Sequence, residues 1–284
     1  MPLDQQELRF LEDKANQLRH LCVDTVAWAG AGHIGGSMSA MDIMVLLYYK
    51  YLHIDPQNPG WEDRDRFVLS KGHAGIGYAP ILADKGFIQR ELLTEYNHTG
   101  SSLGIHLDSL RVPGVDASTG SLGHGLSIAL GMALGIRLLK KSCKVYCLLG
   151  DGECNEGQVW EAAMAISHFK PCNIITIVDR NGLMIDGATE EVMKLEPFKQ
   201  KWEAFGFIVK EVDGHNFKQL AEAVEYSISE NSVPVVIIAD TIKGCGIDFI
   251  ENDYRWHYGG LDSDKISEAH KSLTAYYEKR IKGE

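Results

Sequence analysis

Two polar side chains at the ends of apolar runs carry the plainest chemistry: Asp151 in KVYCLLGDGECNEG and, 30 residues on, Asn181 in IVDRNGLMIDG. Each follows a β-type run, 144–149 and 173–178, and a helix-like segment, 156–169, joins the two. That order reads as one βαβ unit. A crossover helix packed back on its sheet makes the strands parallel and close, so both tips open onto one crevice, where open α/β sheets take ligands. A carboxylate, a carboxamide oxygen and a nearby backbone carbonyl are hard donors suited to Mg²⁺, which completes its octahedron with water and substrate phosphates. The turn through Gly150, Asp151 and Gly152 lets backbone approach a phosphate, and the helix start beyond it favours an anion. The pair predicts a magnesium diphosphate site.

These tips need a scaffold, and the rest of the chain reads as one. Leu8, Leu11, Ala15, Leu18 and Cys22 line one face of a helix over about 5–29. A second helical pattern covers 40–52, with Ser39 as its cap and Asp42 at N3, where a carboxylate suits the dipole. A polar, Pro/Gly-punctuated loop over 55–66 leads to a short strand at 67–69, and 123–139 reads as a tightly packed helix. Strands at 207–212 and 234–239 flank a helix at 217–229, and an amphipathic helix spans 263–282. The predicted fold is α/β, a mostly parallel central sheet with helices on both faces and an N-terminal helical layer. All of 1–284 forms a single domain in this reading.

Composition narrows the function. A net charge of −11 opposes a nucleic-acid or anionic-membrane role. No run approaches membrane-spanning length and no signal segment opens the chain, so a cytoplasmic protein is expected. The six cysteines show no CxxC and no Cys/His cluster, so reduced, mostly buried thiols are expected; Cys154, in the loop after Asp151, is the one placed where an oxidant could reach it. Gly30, Gly32 and Gly35 satisfy GxGxxG, but a helical pattern precedes them where a dinucleotide fingerprint needs a strand. Five histidines, His33, His73, His106, His124 and His257, lie in or beside glycine-rich loops. Singly each suits a surface or structural role; beside a diphosphate site, together, they suit a pocket.

The ordered motifs AGHIGGSMSAMDI, NPGWEDRDRFVLSKGHAG, VDASTGSLGHG, the GDG…N pair and WHYGG, over about 29–260, resemble the amino-terminal third of transketolase. The resemblance implies transfer of a two-carbon ketol unit from a ketose or ketose-phosphate donor to an aldose, with thiamine diphosphate and Mg²⁺, for which Ca²⁺ or Mn²⁺ substitutes. It assigns Asp151, Asn181 and the Leu183 carbonyl to the metal, and Gly152 and Asn181 to the diphosphate. Gly120, Ser121 and Leu122 would meet the aminopyrimidine. Ile185 is an apolar wall against the ring, ordinary core, or both. Glu156 is either a helix-start carboxylate or part of a network between two active sites. Lys71 and Lys243 either reach the cofactor or are solvated. His33 and His257 would bind donor hydroxyls and move the C3 hydroxyl proton, His106 would hold the donor C1 hydroxyl, and His73 would sit between diphosphate and donor. Neutral imidazole suits that proton transfer.

One segment departs from the pattern. Ile105, His106, Leu107 and Asp108 stand where many family members have Gly-His-Pro-Asp/Glu, which alters the donor-side loop. A full transketolase also carries a second α/β domain with the pyrimidine half of the site. The resemblance therefore implies a separate C-terminal subunit in an α₂β₂ assembly, or else a fragment of a longer chain. The alternatives are the α subunit of a 2-oxo acid dehydrogenase, a deoxyxylulose-phosphate synthase and a non-catalytic cofactor-binding scaffold.

Overall fold

In a computed structural model, which describes residues 3–283, five strands form one sheet in the order β1-β2-β3-β5-β4. They are β1 (Arg66–Leu69), β2 (Val145–Gly150), β3 (Ile174–Arg180), β4 (Ile208–Asp213) and β5 (Val235–Asp240). Every neighbouring pair is parallel. The helices are α1 (Gln5–Ala29), α2 (Ile34–Leu46), α3 (Gly75–Lys85), α4 (His124–Leu138), α5 (Gly157–Phe169), α6 (Thr189–Val192), α7 (Phe198–Ala204), α8 (Phe217–Ser229) and α9 (Ser263–Lys282).

The strands read as near-continuous apolar runs because both faces of a parallel sheet are covered. Along β2, Tyr146 and Leu148 enter a core built with α1, α2, α3, α8 and α9, while Val145, Cys147 and Leu149 enter one built with α4, α5 and α7. The α/β class with helices on both faces is therefore the observed architecture.

α1 begins with a capping box in which Asp4 accepts from the Glu7 N–H and the Glu7 carboxylate accepts from the Asp4 N–H. It ends at Gly30, whose φ of 77° is left-handed. α2 differs from its expected start: it begins at Ile34, not at Ser39, and runs on into a π-helical turn, Leu47–Tyr51. Gly35 and Gly36 lower the intrinsic propensity of its first turn, so the apolar pattern becomes readable only beyond them. Tertiary packing supplies what propensity lacks. A Cβ on Gly35 would lie 2.8 Å from the Trp256 carbonyl, and one on Gly36 would lie 3.2 Å from His73 Nε2. Ser39 is buried inside the helix, with Asp42 one turn further on.

Cys154 is fully buried with its Sγ–H on the Gly150 carbonyl (3.4 Å), and burial holds its thiol well above the ordinary range. The expectation that an oxidant could reach it is thus corrected; Cys172 is the partly exposed thiol. All six cysteines are free.

Candidate active site

Parallel strands bring their carboxyl ends to one edge, and Asp151 after β2 and Asn181 after β3 meet there. Asp151 is 2% exposed and Asn181 9%. The Asp151 carboxylate accepts from the Gly152 N–H (2.8 Å) and from the Gly182 N–H (2.6 Å), which ties the two loops together. The Gly152 N–H is thus spent on Asp151. Asn181 Oδ1 accepts from the Leu183 N–H at 3.2 Å.

Beneath this pair lies Asp179, which the motifs did not single out. It is fully buried in β3, directly opposite Gly150, and accepts from Ser39 Oγ (2.7 Å), Lys71 Nζ and Thr241 Oγ1. Burial opposes its charge, but Lys71 holds the carboxyl below its usual range. Lys71 also donates to the Gly36 carbonyl at 2.9 Å, joining β1's end to α2.

Among the described residues Asp151 forms no such ion pair. Burial, and then repulsion from Asp179, pushes its carboxyl up to about 6. Lys243, 2% exposed, donates to the Leu183 carbonyl (3.1 Å) and the Met184 carbonyl (3.3 Å), so a positive charge already matches these oxygens. Burial, and then the like charge of Lys71, lowers its pKa to about 8. Among the described residues no three His, Cys, Asp or Glu side chains form a metal cage. A divalent ion here would rest on one carboxylate, one carboxamide and a backbone carbonyl, and that donor set suits Mg²⁺ with further oxygens from a diphosphate.

A cavity of about 210 Å³ opens over these groups and reaches His73 and His257. Beside it the loop before α2 and the segment between β5 and α9 are stitched by a two-way bridge between Gly32 and Gly259 (2.9 and 3.1 Å). That bridge brings His33 to 5.3 Å from His257 between ring centroids; His73 lies 5.3 Å from His33 and 5.1 Å from His257. His106 joins at 6.2 Å from His33. Burial, followed by neighbouring cationic groups, lowers His33 to about 4 and His257 to about 3, and holds His73 well below its ordinary value. The cluster is neutral at pH 7. Lys243 Nζ lies 3.0 Å from His257 Nδ1; a protonated lysine only donates, so His257 keeps its proton on Nε2. His33 Nδ1 is buried without a hydrogen-bond partner.

The remaining predicted residues divide. Leu122, Glu156 and Ile185 line the cavity, Ile185 at 63% exposure. Gly120 backs the His106 ring, where a Cβ would come within 2.8 Å. Ser121 is exposed, and His124 is the exposed first residue of α4; neither lines the cavity. Glu156 caps α5 without a side-chain bond. The buried acid nearby is Glu153, which sequence reasoning passed over: it accepts from Ser70 Oγ, the Gly123 N–H (2.9 Å) and the Gly150 N–H (2.9 Å).

A family model described as "Transketolase, thiamine diphosphate binding domain" matches residues 11–281. The chain belongs to that family. Among relatives of the transketolase domain, a "6-deoxy-6-sulfo-D-fructose transketolase subunit" from a Clostridium species is 42% identical over 87% of this chain and 90% of its own length. An apulose-4-phosphate transketolase subunit from Phocaeicola vulgatus is 38% identical over 96% and 97%. The solved transketolase of Campylobacter jejuni superposes with a TM-score of 0.89 at 31% identity, over 94% of this chain. The chain spans 43% of that transketolase's length. Of the GxGxxG glycines, Gly30 and Gly32 follow α1, not a strand, and Gly35 lies in the first turn of α2, so the expected loop holds for the first two only.

Proposed function

We propose that this chain is the diphosphate-holding subunit of a transketolase, moving a two-carbon ketol unit from a ketose or ketose-phosphate donor to an aldose. The observation that carries this reading is the meeting of Asp151 and Asn181 in one cavity with neutral imidazoles. Asp151, Asn181 and the Leu183 carbonyl would hold Mg²⁺, and Asn181 and His73 would stand beside the diphosphate. Gly152 contributes by lacking a side chain, its nearest neighbour being Met184. Gly120, Ser121 and Leu122 face the aminopyrimidine, with Ile185 as an apolar wall. Thiamine diphosphate, when bound, supplies the nucleophilic ring carbon and the electron sink.

This chain's own side chains manage the sugar. The unpartnered Nδ1 of His33 accepts from a donor hydroxyl. His257, with its proton on Nε2, donates to an oxygen, and His106 holds the C1 hydroxyl. His33 would accept the C3 hydroxyl proton at its free Nδ1 and return it to the product, with the Nε2–H of His257 beside it. Lys243 keeps His257 oriented.

A cavity of about 210 Å³ falls below the roughly 300 Å³ where whole ligand pockets begin, which supports a second wall from a pyrimidine-binding C-terminal subunit. The relatives named as subunits support the same partner. We place the assembly at α₂β₂, in the cytoplasm, in keeping with free cysteines and with described helices none of which is long and apolar enough to cross a membrane. The companion subunit should be mixed with this chain, Mg²⁺, thiamine diphosphate and an aldose acceptor. Donors to offer are pentulose and hexulose phosphates, 6-deoxy-6-sulfofructose and apulose 4-phosphate. Ketol transfer from at least one donor is expected. Decarboxylation of a 2-oxo acid without ketol transfer would overturn the reading.

A further inference from the structure

Behind the cavity lies a buried ionic cluster that the chemistry above leaves unused. Arg19 of α1 grips Asp42 of α2 with both terminal nitrogens (2.9 and 2.8 Å). Arg280 of α9 donates to the same Asp42 Oδ2 (2.9 Å) and pairs with Glu12 of α1. Two guanidinium groups thus meet two carboxylates, with the buried Cys245 thiol beside them, its Sγ 3.6 Å from His215 Nδ1 and 3.1 Å from the Tyr276 hydroxyl. Into this cluster projects His215, from the turn after β4, whose carbonyl accepts from Arg280 Nη2 at 2.6 Å.

His215 bridges the cluster to the site. Its Nδ1 lies 2.8 Å from Asp42 Oδ2 and its Nε2 2.9 Å from the Ile242 backbone nitrogen. A backbone N–H can only donate, so Nε2 is the acceptor and the ring proton sits on Nδ1. Burial opposes a charge on this ring, whereas the contacts with Asp42 and with the Cys245 thiol favour one. A second proton would point at the Ile242 N–H, 2.9 Å away, so the geometry at Nε2 fixes the singly protonated ring.

Ile242 sits where the strand ladder has run out. Thr241 N–H still reaches the Arg180 carbonyl (3.0 Å), but the next N–H goes to the imidazole. On either side of Ile242, Thr241 bonds Asp179 and Lys243 reaches the Leu183 carbonyl and His257. We propose that His215 is a positioning residue: braced by Asp42, its Nε2 takes the Ile242 N–H and so sets where Thr241 and Lys243 reach beneath the diphosphate. This role rests on the reading of the site as a metal diphosphate site.

Two substitutions separate this role from a purely structural one. Gln places an acceptor near the Nε2 position but loses the donor to Asp42; Asn keeps the donor near Nδ1 and loses the acceptor. For the full chain, amide exchange at Ile242 and affinity for inorganic pyrophosphate with Mg²⁺ should be measured in His215→Gln and His215→Asn. His215→Gln should stay within about twofold of the natural chain in both readouts, and His215→Asn should worsen both by about fivefold or more, the equivalent of one hydrogen bond. The reverse ranking, or equal loss in both, overturns the proposal. Selective ¹⁵N-histidine labelling of the unaltered chain gives a check that needs no variant. A lone-pair Nε2 is expected at His215, and a doubly protonated ring or an Nε2–H form overturns the role. Absence of Mg²⁺–pyrophosphate binding in the unaltered chain would sink the site reading and this role together, whereas intact binding with the wrong ranking sinks this role alone.

Discussion

At the scale of single residues, the site works by an unequal division of charge. Asp179 has Lys71, while Asp151, among the described residues, has two backbone N–H groups and no ion pair, which suits the proposed metal. Asp151→Asn should therefore abolish the rise in melting temperature that Mg²⁺ with thiamine diphosphate gives the unaltered chain, with affinity reduced by about a hundredfold or more. An undiminished shift would contradict the metal assignment. The imidazoles set a pH dependence of stability. Folded His33 and His257 titrate near 4 and 3, against about 6.5 in an unfolded chain. Between those values the unfolded chain binds protons that the folded chain refuses. Their contribution is thus fully present above 6.5 and is lost as pH falls toward 4. A chain with both histidines replaced by Asn should lose less melting temperature than the unaltered chain between pH 7 and 4.5; parallel losses would refute this. Asp151, Asn181, His33, His73, His106 and His257 were legible because glycines and strand ends flank them, whereas His124, read in the same way, is exposed at the start of α4. Asp179 and Glu153 were not. An acid within an apolar strand shows its purpose only once Lys71, 108 residues away, lies against it. Glu153 is turned inward by the short 3₁₀ turn Gly152–Asn155, which a helix-start reading centred on Glu156 does not foresee.

At the scale of elements, the loop before α2 and the segment between β5 and α9 owe their approach to missing side chains. A Cβ on Gly260 would lie 2.2 Å from the Gly30 carbonyl, so Gly260→Ala must push the WHYGG segment away and weaken the bridge between Gly32 and Gly259. A loss of about 1–3 kcal/mol in urea unfolding is expected. A cost near zero would mean that the bridge does not fix His33 against His257. The strands, α1, α5, α8 and α9 follow apolar periodicity and were readable to within a residue or two. α3 was not, since Gly75, Gly77 and Pro80 mask its pattern, and its reason lies in tertiary contact: a Cβ on Gly77 would meet the Ser37 Cβ at 2.7 Å. The early start of α2 escaped for the same cause.

At the scale of the whole molecule, one edge of the sheet holds the chemistry while α4 and α5 leave apolar side chains uncovered. Leu138 is 83% exposed and Met164 54%, with Ile128 and Phe169 on the same two helices also exposed. Changing Leu138 and Met164 to Glu should leave the melting temperature of the separate chain within about 2 °C, since surface substitutions cost little. In sedimentation with the companion subunit, the same change should shift the assembly to smaller species; unchanged assembly would place the interface elsewhere. The claim beneath all of this is that two neighbouring strand ends hold a divalent ion for a diphosphate. Anomalous diffraction from crystals grown with Mn²⁺ and thiamine diphosphate tests it most directly. A metal peak in contact with the Asp151 carboxylate, Asn181 Oδ1 and the Leu183 carbonyl is expected; a bound cofactor whose metal peak lies away from all three would contradict that assignment.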